Sequence, residues 1–271
     1  MKKSELVIIK LGGSVVTYKE SLVAKARKDN IKRLAKEVES LVEQGYRVVL
    51  VHGAGSFGHP LAQKYQLHKG MRTEEQKFGY GQTTQSMLKL NFLITEALLG
   101  VGVRCVTLPP HSFVKQSSGK FKGFDYGLVK DFIEHGFVPV LFGDGVLDDK
   151  WGCSILSGDV IVSYLAQKLH AKKVVFLSDV DGIFDSDPKV NPTAKRISEI
   201  TNENLQKVLK NFQISRKTNS RSNVTGEMEG KILAIKDNLS KVAVWITDGF
   251  KKGQLNKAVL GEPVGTRIKF I

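Results

Sequence analysis

The chain has 271 residues, 41% hydrophobic and 25% charged. That is enough to bury a substantial core as one large α/β domain or two closely joined lobes, and the balance is ordinary for a globular enzyme. The formal net charge of +14 is spread along the whole length; no nucleic-acid module accompanies it, so polyanionic small molecules are favoured over DNA or RNA. Cys105 and Cys153 make neither a zinc set nor a disulfide framework. The short apolar stretch after Met1 is interrupted by Lys10 and is no signal peptide, and no run of about 18 apolar residues predicts a membrane span. A cytoplasmic protein is expected.

In chain order, Glu5 to Lys10 predicts a first strand, closed by Gly12 and Gly13. Lys25 to Gln44 predicts a helix with Ile31, Leu34, Val38, Leu41 and Val42 on one face. Further strands are expected at Arg47–Val51, Val103–Leu108, Val138–Phe142, Lys173–Leu177 and Val242–Ile246. Helical patterns at Gln82–Leu99 and Asp159–Leu169 separate them, and Lys115–Tyr126 reads as an exposed hairpin or loop. The basic stretch Lys207–Arg221 reads as a solvated loop or helix face. Strands alternating with helices predict an α/β fold, an open αβα sandwich with a largely parallel central sheet. No repeat or flexible linker interrupts it.

The most telling stretch is VVLVHGAGSFGHP, Val48 to Pro60. An apolar strand empties into a loop with Gly53, Gly55 and Gly58, ending on His59. Such loops let backbone N–H groups approach an anion because no Cβ intervenes, and the histidine adds a donor. The loop also spells G-x-G-x-x-G, but a dinucleotide site needs an acidic residue about 20 positions on, at the end of the next strand. Glu74 and Glu75 sit instead in the polar stretch KGMRTEEQK, which argues against a nicotinamide or flavin enzyme. A second loop, LVIIKLGGSVVT, puts Lys10 before Gly12, Gly13 and Ser14. It is not a P-loop; it reads as a β-turn after a lysine or as a phosphate cradle. Ligands of parallel sheets bind outside the carboxyl ends of the strands. The two loops would then face one crevice, one holding a donor's phosphates and the other an acceptor's.

Three further pieces fit. Ser157-Gly158-Asp159 opens a helix, as a plain cap or as an anion site in which Asp159 orients lysines. Leu177 to Pro188, LSDVDGIFDSDP, resembles a loosely spaced calcium loop but lacks the downstream glutamate at the right spacing; its carboxylates are expected to contact ribose hydroxyls or shape the turn. VTGEMEGK sets Lys231 after Gly226 and Gly230, where a cation reaches phosphates from a second side.

The ordered set Lys10-Leu-Gly-Gly-Ser14, the Gly53–Gly58 loop, Ser157-Gly-Asp159, Ser178-Asp-Val-Asp-Gly-Ile-Phe184, Val224-Thr-Gly to Lys231 and the closing Gly265-Thr-Arg-Ile268 resembles the amino acid kinase family over nearly the whole chain. Within it, His52-Gly-Ala-Gly-Ser-Phe-Gly-His59 is similar to the isopentenyl phosphate kinases; fosfomycin kinases share much of the pattern. The resemblance implies ATP-dependent conversion of isopentenyl phosphate to the diphosphate, in an alternative mevalonate route to isoprenoids, with Mg2+ on the ATP and a homodimeric assembly. It implies one domain over residues 1–271, with an acceptor lobe to about 165 and a nucleotide lobe after it.

Residue by residue, it implies that Lys10, Leu11, Gly12, Gly13 and Ser14 bind the β- and γ-phosphates, and that Lys19 stabilises the transferring phosphoryl group. Gly53, Ala54, Gly158 and His59 would bind the acceptor phosphate, and Gly55 the nucleotide. Asp159 would hold the lysines. Asp179, Val180, Asp181, Gly182, Ile183 and Phe184 would line the nucleoside side, with Gly226 and Lys231 on the distal phosphates. No residue is expected to ligate a metal directly. Met87, Leu88, Leu90, Phe92 and Leu93 offer an apolar slot for the acceptor's tail, or are ordinary core. Glu227 and Asn223 depart from the glycine and aspartate that the family often has there, and an acidic side chain beside phosphates repels them unless it points away or helps hold magnesium.

Overall fold

The computed structural model describes residues 5–21, 23–186, 188, 191–218 and 224–270. In chain order the main elements are β1 (Leu6–Leu11), α1 (Gly13–Val16), α2 (Lys28–Glu43), β2 (Arg47–His52), α3 (Gly55–Lys64), α4 (Glu74–Leu99), β3 (Cys105–Thr107), β4 (Lys115–Ser117) and β5 (Lys120–Phe121). Then come α5 (Gly127–Glu134), β6 (Val138–Phe142), β7 (Asp144–Asp148), β8 (Gly152–Leu156), α6 (Gly158–Lys168), β9 (Lys173–Ser178), β10 (Ile183–Phe184), β11 (Arg196–Ile197) and β12 (Glu199–Ile200). The chain closes with α7 (Leu205–Thr218), α8 (Val224–Leu239), β13 (Ala243–Asp248), α9 (Gln254–Leu260) and β14 (Thr266–Ile268).

Eight strands form one sheet in the order β12-β14-β13-β9-β1-β2-β6-β3. Its pairs are parallel except β13 with β14, which returns antiparallel at one side. The parallel strands are apolar runs because helices cover both faces. Alternation along β1 shows how: Leu6 and Ile8 enter one core, with Ile161 and Leu165 of α6 and Ile232 and Ile235 of α8. Val7, Ile9 and Leu11 enter the other, with Leu34 and Val38 of α2, Leu90 and Ile94 of α4 and Leu255 of α9. The expected open αβα sandwich is the fold.

Differences lie at the edges and in a second sheet. Four strands, β5-β4-β7-β8, form a separate small sheet, of which the sequence pattern signalled only the β4–β5 hairpin. Asp148 binds it together: its carboxylate accepts from the backbone N–H of Ser118, Gly119, Lys150 and Trp151 at 2.7 to 3.0 Å. The helix expected from Gln82 begins eight residues earlier. There the Thr73 side chain accepts from Gln76 N while the Gln76 side chain accepts from the Thr73 backbone, a closed capping box.

Chain direction through the sheet reverses between β1 and β9. From β1 the chain proceeds to β2 on one side; β9 leads to β13 on the other. Loops at the carboxyl ends of these strands therefore diverge and open a crevice.

Candidate active site

The two glycine loops meet at that crevice, backbone against backbone. A Cβ on Gly53 would stand 2.6 Å from Gly13 N, and one on Gly13 would stand 2.7 Å from Gly55 N. Side chains at these positions would force the loops apart. Gly55 also has φ +49°, and a Cβ there would meet Thr17 Oγ1 at 2.0 Å. Thr17 is the stitch between the loops: its hydroxyl donates to Gly13 O at 2.8 Å and accepts from Ser56 N at 3.0 Å. Further backbone bonds, Gly12 N to Leu177 O and Gly53 N to Leu11 O, tie the loops to the strand ends. The glycine stretch is shorter than the sequence pattern suggested. Helix α3 already starts at Gly55, so His59 stands in its second turn, exposed, next to Pro60.

A cavity of about 200 Å3 opens here, lined by Lys10, Gly13, Gly53, Ala54, Gly58 and His59 together with Ser157 and Gly158. The amino ends of α3 and α6 thus border the same space, and helix amino ends favour anions. Ser157 caps α6, its hydroxyl accepting from Asp159 N at 3.2 Å.

Asp159 organises the charges. Lys10 Nζ lies 2.6 Å from its Oδ1, and Lys231 Nζ lies 3.4 Å from its Oδ2. Burial pushes the Asp159 carboxyl up, but the two ammonium groups outweigh it and hold it at about 2. Lys231 also lies over the Phe176 ring, 5.0 Å from its centroid. VTGEMEGK forms the first turns of α8, with Gly226 on the helix backbone and Lys231 reaching across to Asp159. The side chain of Glu227, and Asn223 altogether, lie outside the described residues.

The rest of the cavity wall comes from Ala62, Thr83, Met87, Gly143, Asp144, Gly145, Ile155 and Leu156. Of the five α4 residues offered for an apolar slot, Met87 alone is in this lining. Leu90 is fully buried core, Leu88 and Phe92 are exposed, and Leu93 borders a different surface cavity between α2 and α4. On a helix, only side chains three or four apart share a face, and five residues over seven positions cannot all point one way. Ile155, Leu156 and the Gly143–Gly145 segment, where β6 passes into β7, went unnoticed in the sequence, although glycine-Asp-glycine after the apolar run VPVLF was a signal. Asp144 is buried, accepting from Gly145 N at 2.9 Å and from the backbone N–H of His111 at 3.1 Å, with His111 Nδ1 at 2.6 Å.

Other expected site residues stand apart from this cavity. Lys19 lies on an exposed turn beyond α1. The segment Asp179–Phe184 follows β9. Asp179 is exposed, and Ile183 is buried in the core, its backbone N–H donating to the Thr266 hydroxyl at 2.7 Å. Asp181 makes ion pairs with Lys251 at 2.8 Å and Arg196 at 3.2 Å. Asp185 accepts from Lys195 N at 2.9 Å. At these two positions the acidic run shapes and anchors the turn.

Residues 5–248 match the amino acid kinase family. The chain belongs to this family. Among its relatives is the isopentenyl phosphate kinase of Methanothermobacter thermautotrophicus, 34% identical, with 97% of this chain and 98% of that protein covered. The enzyme of the same name from Methanocaldococcus jannaschii is 34% identical, with 98% and 99% covered. An X-ray structure of isopentenyl phosphate kinase superimposes with a TM-score of 0.81 at 32% identity, covering 97% of this chain and all of that one. The likeness over nearly the full length, beside the lysine pair and glycine loops that meet here, makes the crevice the candidate active site.

Proposed function

We propose that this amino acid kinase family member is an ATP-dependent isopentenyl phosphate kinase. The observation that carries the reading is the mixed lining of the cavity. Backbone N–H groups, Lys10 and His59 suit a phosphate, while Ala62, Met87, Ile155 and Leu156 suit a short hydrocarbon tail. The full-length isopentenyl phosphate kinase relatives support it.

In this reading the acceptor's phosphate oxygen is itself the nucleophile, and no strong base is needed. Gly53, Ala54 and Gly158 hold that phosphate by backbone contacts, and His59 donates to it as a positioning group. Lys10 and the turn Leu11–Ser14 hold the β- and γ-phosphates of ATP, with Lys231, Gly226 and Gly55 on the same nucleotide. Asp159 keeps Lys10 and Lys231 apart and aimed, and Lys19 reaches the transferring phosphoryl group when its turn folds inward. Asp179 to Phe184 line the nucleoside. Neutralising charge on the transferring group in a fixed geometry is the main catalytic demand. Among the described residues no group of three or more His, Cys, Asp or Glu is placed to hold a metal. Mg2+ would be held by the ATP phosphates and would supply charge neutralisation there. Residues 1–165 serve the acceptor and 166–271 the nucleotide, within one domain. An ATP-using enzyme of this kind works in the cytoplasm. Two copies pair through the exposed apolar side of α4, where Phe78, Leu88, Phe92 and Leu99 face outward.

Thr83 and Asp144 in the lining favour a second reading, a more polar phosphonate such as fosfomycin. ADP release with Mg-ATP and isopentenyl phosphate, dimethylallyl phosphate, fosfomycin or uridylate separates them. Preference for isopentenyl phosphate, lost in Lys10→Ala and His59→Ala, is the expected result. Turnover of fosfomycin or uridylate alone overturns the acceptor, and no ADP with any of them leaves a nucleotide-binding protein without catalysis.

A further inference from the structure

Behind the loop that faces the cavity lies a buried polar chain for which the reading above has no use. His52 ends β2, paired in the sheet with Leu11 on one side and Phe142 on the other. It is fully buried and stacks on the Phe142 ring at 5.0 Å with 25° between planes. An apolar residue would suit such surroundings, since a buried polar ring costs stability unless its hydrogen bonds are met. Here both ring nitrogens are engaged. Nδ1 is 3.0 Å from Gly53 O, which can only accept, so Nδ1 carries the proton. Nε2 is then the acceptor for the Asn91 amide at 3.2 Å, and Asn91 Oδ1 accepts from the Thr107 hydroxyl at 2.6 Å. Each bond fixes the direction of the next, so one tautomer and one ring orientation satisfy the whole chain. Burial pushes the imidazole down to about 4, which keeps it neutral in the working range.

The Gly53 carbonyl and the Ala54 N–H belong to one planar trans peptide and point in opposite directions. With the carbonyl turned back to His52, the Ala54 N–H turns toward the cavity that Gly53 and Ala54 both line. Glycine at 53 is required by the close approach to Gly13, and glycine alone leaves that peptide free to rotate. We propose that His52 is a positioning residue for the acceptor phosphate: its Nδ1–H clamps the Gly53 carbonyl and thereby holds the Ala54 N–H on the phosphate, with Asn91 and Thr107 locking the imidazole. The proposal rests on the acceptor site described under the proposed function.

The test compares the full-length wild type with His52→Phe, His52→Asn and Thr107→Val. It measures kcat and KM for isopentenyl phosphate and for ATP, binding of inorganic phosphate by calorimetry, and thermal melting. His52→Phe keeps the shape without the donor and should lower kcat/KM for isopentenyl phosphate about 10- to 100-fold, with KM for ATP within about twofold. Phosphate binding should weaken in parallel. His52→Asn sets an amide near the Nδ1 position and should recover most of the loss. Thr107→Val, at the far end of the chain on the edge strand β3, should raise the acceptor KM about threefold by loosening the ring. Unchanged acceptor kinetics in His52→Phe, equal shifts in both KM values, or no recovery in His52→Asn would overturn the clamp. If His52→Phe does not fold, the other two variants decide by the same acceptor-against-ATP split. A wild type that ignores isopentenyl phosphate overturns the functional reading instead; the calorimetry with inorganic phosphate then still tests the clamp.

Discussion

Asp159 illustrates how one side chain decides what a cluster of charges can do. Lys10 lies next to the end of β1 and Lys231 sits on α8, far apart in the chain, and both ammonium groups close on one carboxylate. Asp159→Asn leaves two like charges facing each other. We expect kcat to fall about 100-fold, the scale of losing a positioned electrostatic group, in a steady-state assay of ADP release. The carboxyl is held at about 2 against an ordinary 3.8, so its stabilising effect is complete above about pH 4 and disappears as pH falls toward 2. Melting temperatures of wild type and Asp159→Asn should therefore converge on acidification through that window. Thr17 acts by neutral bonds. Thr17→Val keeps the shape but strands the Ser56 N–H, while the Gly13 carbonyl keeps the Thr17 backbone N–H; the change should cost about 1–3 kcal/mol in urea unfolding. The sequence pattern pointed to Lys10, Asp159 and Lys231 because lysines beside glycines carry a chemical signature. Thr17 and His52 carry none, because a hydroxyl or imidazole in a strand or turn looks the same whether it stitches loops or fills space.

At the scale of the element, α4 serves the core, the cavity and the surface at once. Leu90 and Ile94 are buried against the sheet, Met87 lines the cavity, and Phe92 is exposed. Met87→Trp should fill the tail space and raise KM for isopentenyl phosphate about tenfold while leaving that for ATP alone, a steric change of a few methylene groups. The first turns of α4 were missed because its apolar spacing begins late, after Gly79 and Gly81. Thr73 and Gln76 were the available sign. Thr73→Ala should cost about 1 kcal/mol in chemical denaturation. The first turns of α3 were likewise read as loop, since glycine-rich stretches have low helix propensity. Packing overrides that preference where the glycines let two backbones or a helix end come close.

The whole molecule is a sheet with a chain reversal at its middle, and the site follows from that topology. Strands β1 and β2 present their glycine loops side by side, α6 enters from the β8 side, and α8 brings Lys231 in from beyond β9. The exposed apolar side of α4 completes the picture at this scale. In sedimentation analysis the wild type should run as a dimer and Phe92→Glu as a monomer, because a buried charge without a partner opposes the interface.

The sequence by itself determined the class of fold and the kind of ligand. Apolar runs alternating with amphipathic helices point to a parallel sheet covered on both faces, and lysine-glycine loops at strand ends favour an anion. Both are local signals, repeated every few residues and legible without knowing what lies across the sheet. Tertiary structure alone decided the rest. It chose Met87 over its four α4 neighbours for the cavity and left Lys19 on an exposed turn. It also closed Lys10 and Lys231 on Asp159, and set Thr107, Asn91 and His52 in line behind Gly53. Those choices depend on contacts between residues distant in the chain, and no period or spacing in a single sequence records which distant side chain a given one will meet.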